Sequence, residues 1–264
     1  MNNVVVDSWE GLIHTLYENS YMDDINRYRS NYVFRGINDK KYVLETSLQR
    51  NCGNLYELED SILRNFLKYA RLESESKKSI WSILAVSQHH GLPTRLLDWT
   101  YSPFIAMHFA TANMDEFDKD AVIWCVDMSK IHNYAPIDFQ EKLKQEKAVA
   151  FSVETLSSLI KNLEEFDKIK DIPFIIFFEP PSIDDRIVNQ YSVHSIVSSA
   201  VICIEEILTN FPETYKKIII PKELKLEIRD KLDQANINER VLFPGLDGLC
   251  KWLARYYMPT AEEK

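Results

Sequence analysis

Apolar residues recur every three or four positions in several stretches of the chain, and each stretch predicts a helix with one buried face. Residues 8–30 read as an amphipathic helix and a polar loop, with Ser8 as cap and Leu12, Ile13, Leu16 and Tyr17 on one side. The stretch 54–75 repeats the pattern with Leu55, Leu58, Ile62, Phe66 and Tyr69, and 79–90 repeats it with Ile80, Ile83, Leu84 and Val86. The latter helix should end at Gly91, a residue suited to a left-handed C-terminus, and Pro93 blocks its continuation. Another helix opens at Ser102-Pro103, a cap followed by proline at the first helical position, and keeps Phe104, Ala106, Phe109 and Ala110 close to one face. Between these two helices, residues 92–101 read as an ordered polar loop held at both ends by buried structure.

Strand-like segments are shorter. Residues 32–35 and 42–46 flank a polar turn at 37–41 and predict a β-hairpin, in which Gly36 lets a ligand or another backbone approach closely. Continuous apolar runs at 120–128 and 173–180 predict strands buried on both faces, the second stopped by Pro180-Pro181. A short helix with Asp184 and Asp185 near its start follows, and Gln190 leads into a strand over 193–198. A strand over 215–221, a helix over 222–234 and a last helix packing through Leu246, Leu249, Leu253, Tyr256 and Tyr257 complete the chain. Residues 129–172 are charged and helical at 139–147 and 154–168, which reads as a surface insertion or a partner-facing cap. With no repeat and no flexible linker, the pattern predicts one α+β domain over 1–264, its core at 30–128 and 173–257, with about six short strands and helices on both sides.

Composition narrows the function classes. A net charge of -9 disfavours broad contact with nucleic acid or an anionic membrane. Cys52, Cys125, Cys203 and Cys250 are far apart with no CxxC spacing, and three of them lie in apolar runs, so they read as buried thiols of a reducing cytoplasm. The opening MNNVVVDSWEGL lacks the basic start and apolar run of a secretion signal, and no segment approaches a membrane span. A cytoplasmic protein away from membranes is the expectation.

Reactive side chains crowd into 88–99, which holds His89, His90, Arg95, Asp98 and Trp99. Adjacent histidines on a helix point about 100° apart, and HHG lacks the i, i+4 spacing of a zinc helix, so no metal site is expected from His89, His90, His108 and Asp98. No GxSxG, GxxxxGK[ST] or GxGxxG is present. Arg35 and Arg95 each lie beside a turn residue and near aromatics, where a guanidinium suits bidentate capture of phosphate or carboxylate. Two plainer readings stand beside these: Asp98 as a salt-bridge partner of Arg95, and Trp99 as a core residue rather than a stacking platform.

YVFRG (32–36) together with QHHGLPTRLLDWTYSPFIAMHFATA (88–112) resembles the FRG domain family, named for that Phe-Arg-Gly. DRIVNQYSVHSI (185–196) is similar to the family's Arg-Ile-x-x-Gln-x-Gly-x-Phe motif, with Ser192 and His194 where glycine and phenylalanine are usual, and RVLFPGLDGLCKWL (240–253) to its closing Phe-Pro-x-Leu-Asp-Gly-Leu. The resemblance implies a bacterial or phage defence or toxin setting. The order of landmarks is also similar to that of ADP-ribosyltransferases, which implies small mixed or antiparallel sheets flanked by helices, and NAD or another nucleotide as ligand. On that similarity Arg35 and Gly36 hold the NAD phosphates or ribose, Thr94, Arg95 and Trp99 shape the nicotinamide side, and His89 and His90 join the cleft as bases or ribose ligands. Gln190 then occupies the place of the catalytic glutamate. A neutral amide lacks the charge that steadies a developing ribose cation, so either Asp98 or Glu179 is the acid or the site binds a nucleotide without transferring it. The competing expectation is a non-catalytic sensor or interaction module, its polar cluster structural and its partner met through 129–172.

Overall fold

The structure, a computed structural model, describes residues 2–52, 58–70 and 79–258. Its strands are β1 (Asn3–Val5), β2 (Tyr21–Met22), β3 (Arg27–Tyr28), β4 (Tyr32–Ile37), β5 (Leu97–Thr100), β6 (Ala121–Asp127), β7 (Phe151–Ser152), β8 (Ile175–Glu179), β9 (Ser192–Val197) and β10 (Tyr215–Ile220). Among the described residues, β2 and β3 pair with each other, and the other eight strands form one mixed sheet in the order β1-β10-β6-β4-β5-β9-β8-β7. The β1–β10 and β7–β8 pairs are parallel, and the rest antiparallel. The expected small sheets are therefore one large mixed sheet in an α+β chain.

The helices are α1 (Trp9–Tyr17), α2 (Ser47–Cys52), α3 (Glu59–Tyr69), α4 (Ile80–His89), α5 (Pro103–Ala110), α6 (Met128–Ile131) and α7 (Ile137–Glu146), then α8 (Val153–Leu159), α9 (Leu163–Lys168), α10 (Asp185–Asn189), α11 (Ile204–Thr209), α12 (Lys225–Gln234), α13 (Glu239–Leu242) and α14 (Leu246–Tyr256). Ser8, Ser79 and Ser102 cap α1, α4 and α5, each side-chain oxygen accepting from the backbone N–H three residues on. Of the helix expected over 54–75, α3 is the described part; residues 53–57 and 71–78 lie outside the described residues.

Alternation along the strands sorts the side chains onto two faces. On one face Phe34, Ile123, Cys125, Ile218 and Ile220 pack with Leu12, Leu16, Met107 and Ala110 of α1 and α5. Phe178 and Ile176 share that face across the register, and they pack with Trp81, Leu84, Phe139, Phe151 and Phe166 in a second cluster. The opposite face carries Val33, Trp99, Trp124, Phe177 and Val193 beneath Ile204, Ile207 and Leu208 of α11. Every residue of β6 is buried, as its unbroken apolar run predicts.

Several expectations fail, the count of about six strands among them, since ten are described. The 32–35/42–46 hairpin does not form: β4 pairs instead with β6 and β5, and Leu44 turns into the α11-side cluster. The loop expected over 92–101 ends at Leu97, where LDWT pairs with β9 as a central strand. Residues 129–172 are not a surface insertion, because Phe139, Leu143, Phe151, Leu156 and Phe166 complete a core cluster with Trp81 and Phe178. The last helix turns its apolar stripe outward, with Leu246 and Tyr257 each 77% exposed. Cys125 is buried and Cys203 partly so, but Cys250 is exposed on that same helix; the Cys52 side chain lies outside the described residues.

Candidate functional site

The sheet is weakest at its centre. β4 runs alongside β6 for six residue pairs, yet it meets β5 only through Phe34 and Thr100. On the α5 side the departure is enforced by close packing: a Cβ on Gly36 would lie 1.8 Å from the Ala106 carbonyl oxygen, so the helix backbone occupies the space that the glycine leaves. Gly36 thus admits a helix backbone, not a ligand. Arg35 spans the opening, its Nη1 donating to the Asp98 carbonyl at 2.5 Å. Its Nε is buried without a partner among the described residues.

Asp98 and His194 are directly opposite each other on β5 and β9, so they share the face that carries the two apolar clusters and form a polar seam between them. His194 Nδ1 approaches Asp98 Oδ1 to 3.1 Å. Gln88, from the end of α4, donates from Nε2 to both Asp98 oxygens at 3.1 and 3.2 Å. Thr94 orients that amide by donating its hydroxyl to Gln88 Oε1 at 2.6 Å. Packed surroundings alone would raise the Asp98 pKa; the contact and charge of His194, the charge of Arg35 and the Gln88 amide outweigh this and bring it to about 2. Although His194 is only 6% exposed, 57% of the Asp98 side chain remains open to solvent. Asp98 is thus fixed by protein groups and open to solvent at once.

Beside the seam is a cleft of about 640 Å³. His89 and His90 reach it from the end of α4, residues 184–186 from the start of α10, and Phe243, Pro244, Asp247, Gly248 and Lys251 from the junction of α13 and α14. His89 Nε2 bonds Asp184 Oδ2 at 2.5 Å, and Asp184 also caps α10 by accepting from the Ile187 N–H. Burial would raise the Asp184 pKa, but the Ile187 N–H and the His89 contact outweigh it and hold the carboxyl below its usual range. Gly248 makes the tight α13–α14 corner possible, since a Cβ there would fall 1.9 Å from the Phe243 carbonyl oxygen. Gln88, on Asp98, and His89, on the cleft, are consecutive residues, which makes the seam and the cleft neighbours.

Residues 30–119 match the family model of the FRG domain. The chain carries an FRG domain. Neither a curated protein nor a solved structure matches the chain. The matched span of the FRG domain contains Arg35, His89, His90 and Asp98, and the cleft is completed by segments beyond it, 184–186 and 243–251. Those segments fall on the DRIVNQ and FPGLDGL motifs, so three separate stretches of sequence converge on one cleft.

The nine residues expected at one site do not all meet. Arg35, Thr94 and Asp98 belong to the seam, and His89 and His90 to the cleft. Arg95 lies elsewhere, its Nε donating to Glu59 Oε2 at 2.7 Å and its Nη1 to Asp167 Oδ1 at 2.6 Å beside a separate cleft of about 510 Å³. Trp99 is buried against Phe177 and donates its indole N–H to Ser195 Oγ at 2.7 Å, which makes it core. Gln190 donates from Nε2 to the Leu242 carbonyl at 2.9 Å and so anchors α13. Glu179, the other acid considered, accepts from the Tyr101 hydroxyl at 2.8 Å. Reading the motifs missed Gln88, His194, Arg186 and Lys251. Gln88, Arg186 and Lys251 all stand inside the quoted motifs beside more conspicuous neighbours, and His194 stands there as a departure from the family pattern; its pairing with Asp98 depends on recognising 97–100 as a strand. Among the described residues no group of three or more His, Cys, Asp or Glu side chains is placed to hold a metal ion. No described helix is long and apolar enough to cross a membrane.

Proposed function

We propose that this FRG domain binds a nucleotide of the NAD type, with the Asp98 carboxylate facing the ligand's ribose. The observation that carries the reading is the state of Asp98: ionised, aimed by Gln88 and His194, and still open to solvent. Both Asp98 oxygens accept from Gln88 and still face solvent, so the carboxylate is fixed without being sealed off. A carboxylate fixed and left exposed is preorganised to stabilise positive charge, as develops on a ribose when its base departs. Asp98 then takes the place first considered for Gln190, whose amide is spent on α13. An activity that consumes NAD suits the defence or toxin setting implied by the family resemblance.

A second reading has its own support. Arg35, Thr94, Arg95, Trp99 and Gln190 each have an intramolecular partner, the arrangement of a non-catalytic module in which most of the cluster is structural. Thermal-shift titration with NAD, ADP-ribose and a nucleotide panel separates the two. A ligand that binds only the folded state stabilises it by about 2.7 kcal/mol at a hundred times its Kd. NAD should raise the Tm of the native protein, and the isosteric Asp98→Asn, folded to the same extent, should lose most of that rise. No stabilisation by any nucleotide would leave the module reading standing.

A further inference from the structure

Arg186 is a cation without employment. Its Nε is buried with no hydrogen-bond partner, and among the described residues its guanidinium forms neither a hydrogen bond nor an ion pair, although Asp184 and Asp185 precede it. Instead the group lies over the Phe243 ring, 5.0 Å from the centroid. A guanidinium over an aromatic face gains a cation–π contact that uses none of its N–H donors. Lys251 and His90 line the same cleft, also without ion-pair partners among the described residues. Of the three carboxylates there, Asp184 is committed to His89 and to the α10 cap, leaving Asp185 and Asp247 as open acceptors. Free cations beside free carboxylates suit one ligand chemistry in particular: phosphate for the former, sugar hydroxyls for the latter.

We infer that this cleft is a ribose–diphosphate subsite, in which Arg186 grips the phosphates through two N–H groups, Lys251 adds a second charge, and Asp247 or Asp185 accepts from ribose hydroxyls. The inference rests on the reading proposed above and extends it: the ribose whose glycosidic bond reacts lies against Asp98 at the seam, and the cleft takes the adjoining diphosphate and second ribose. Gln88 and His89, adjacent on α4, put the two within the span of one dinucleotide.

Calorimetric titration with ADP, ADP-ribose, NAD and inorganic pyrophosphate tests it on the native protein, Arg186→Gln and Lys251→Gln, with Asp98→Asn titrated against NAD. Lys251 is exposed, so its variant retains the fold even if loss of the Arg186–Phe243 contact weakens α13. Charge-assisted hydrogen bonds set the expected scale: Arg186→Gln should weaken ADP and pyrophosphate roughly tenfold or more, and Lys251→Gln by less. ADP should bind more tightly than pyrophosphate, since only ADP offers hydroxyls to the carboxylates. NAD affinity that depends on Asp98 but is unchanged in both cleft variants would overturn the subsite and leave the Asp98 reading intact. ADP affinity that depends on Arg186, without any dependence of NAD on Asp98, would support the subsite and sink that reading.

Discussion

Asp98 stays charged because His194, Arg35 and Gln88 together outweigh the cost of crowding it with protein atoms, and this has a consequence in acid. Its folded pKa of about 2 lies below the unfolded carboxylate value of about 3.9. A depressed carboxylate pKa contributes stability that is fully present above the unfolded value and is lost as pH falls through the folded one. The native protein should therefore lose stability between roughly pH 4 and pH 2 by a component that Asp98→Asn lacks. Urea midpoints for both proteins across that window measure it, and parallel curves would mean that Asp98 carries no such coupling. The chemistry at this residue was half legible. An Asp beside an Arg and a Trp is conspicuous in any reading, but its real partners come from 10 residues before it and from the strand opposite, and only the β5–β9 register brings His194 there.

At the scale of elements, helices were easier to read than strands because a 3.6-residue repeat runs through enough positions to be unmistakable, whereas a strand of four residues offers two per face. Gly91 closed α4 and the Ser102 cap opened α5 as expected, whereas LDWT, short and just beyond Pro93, passed for loop. Gly36 was read as a place of close approach, but which neighbour approaches is decided by how α5 lies on β4. Gly36→Ala should destabilise by about 1–3 kcal/mol or more, because the clash is with helix backbone and not with the end of a flexible side chain. Arg95 joins elements too, tying the segment ahead of β5 to α3 and α9. Burial, with Oε1 left unpartnered, raises the Glu59 pKa, while two carboxylates hold Arg95 protonated. Arg95→Ala strands Glu59 and should cost about 3–5 kcal/mol; pairing it with Glu59→Leu should recover much of the loss. Denaturant unfolding of the single and double variants measures both values, and ligand affinity of the folded protein should be unaffected.

The sheet consists of two halves whose strands meet at one residue pair. β1, β10, β6 and β4 form one half and β5, β9, β8 and β7 the other, joined within the sheet by the Phe34–Thr100 pair and the guanidinium of Arg35, and across one face by the α11-side cluster of Val33, Trp99, Trp124, Phe177 and Val193. The arginine read from sequence as a ligand-holding group thus carries a tertiary connection, which explains why it follows a buried β4 phenylalanine and precedes the one glycine that α5 can cover. Arg35→Ala removes the donor from a backbone carbonyl and should cost about 1–3 kcal/mol. More diagnostic is where the loss appears. Helices α1, α5 and α12 brace the first half, whereas α4 and the 129–172 helices brace the second, so each half has its own apolar cluster to fall back on. Native-state hydrogen exchange should show the amides of β5 and β9 opening at lower free energy in Arg35→Ala, while those of β6 and β10 keep most of their protection. Equal loss across all four strands would mean that the halves unfold as one unit despite the narrow join. Because Asp98 stands at that join, the same variant would also disturb any ligand at the seam through the backbone, and Asp98→Asn is the substitution that separates chemistry from architecture.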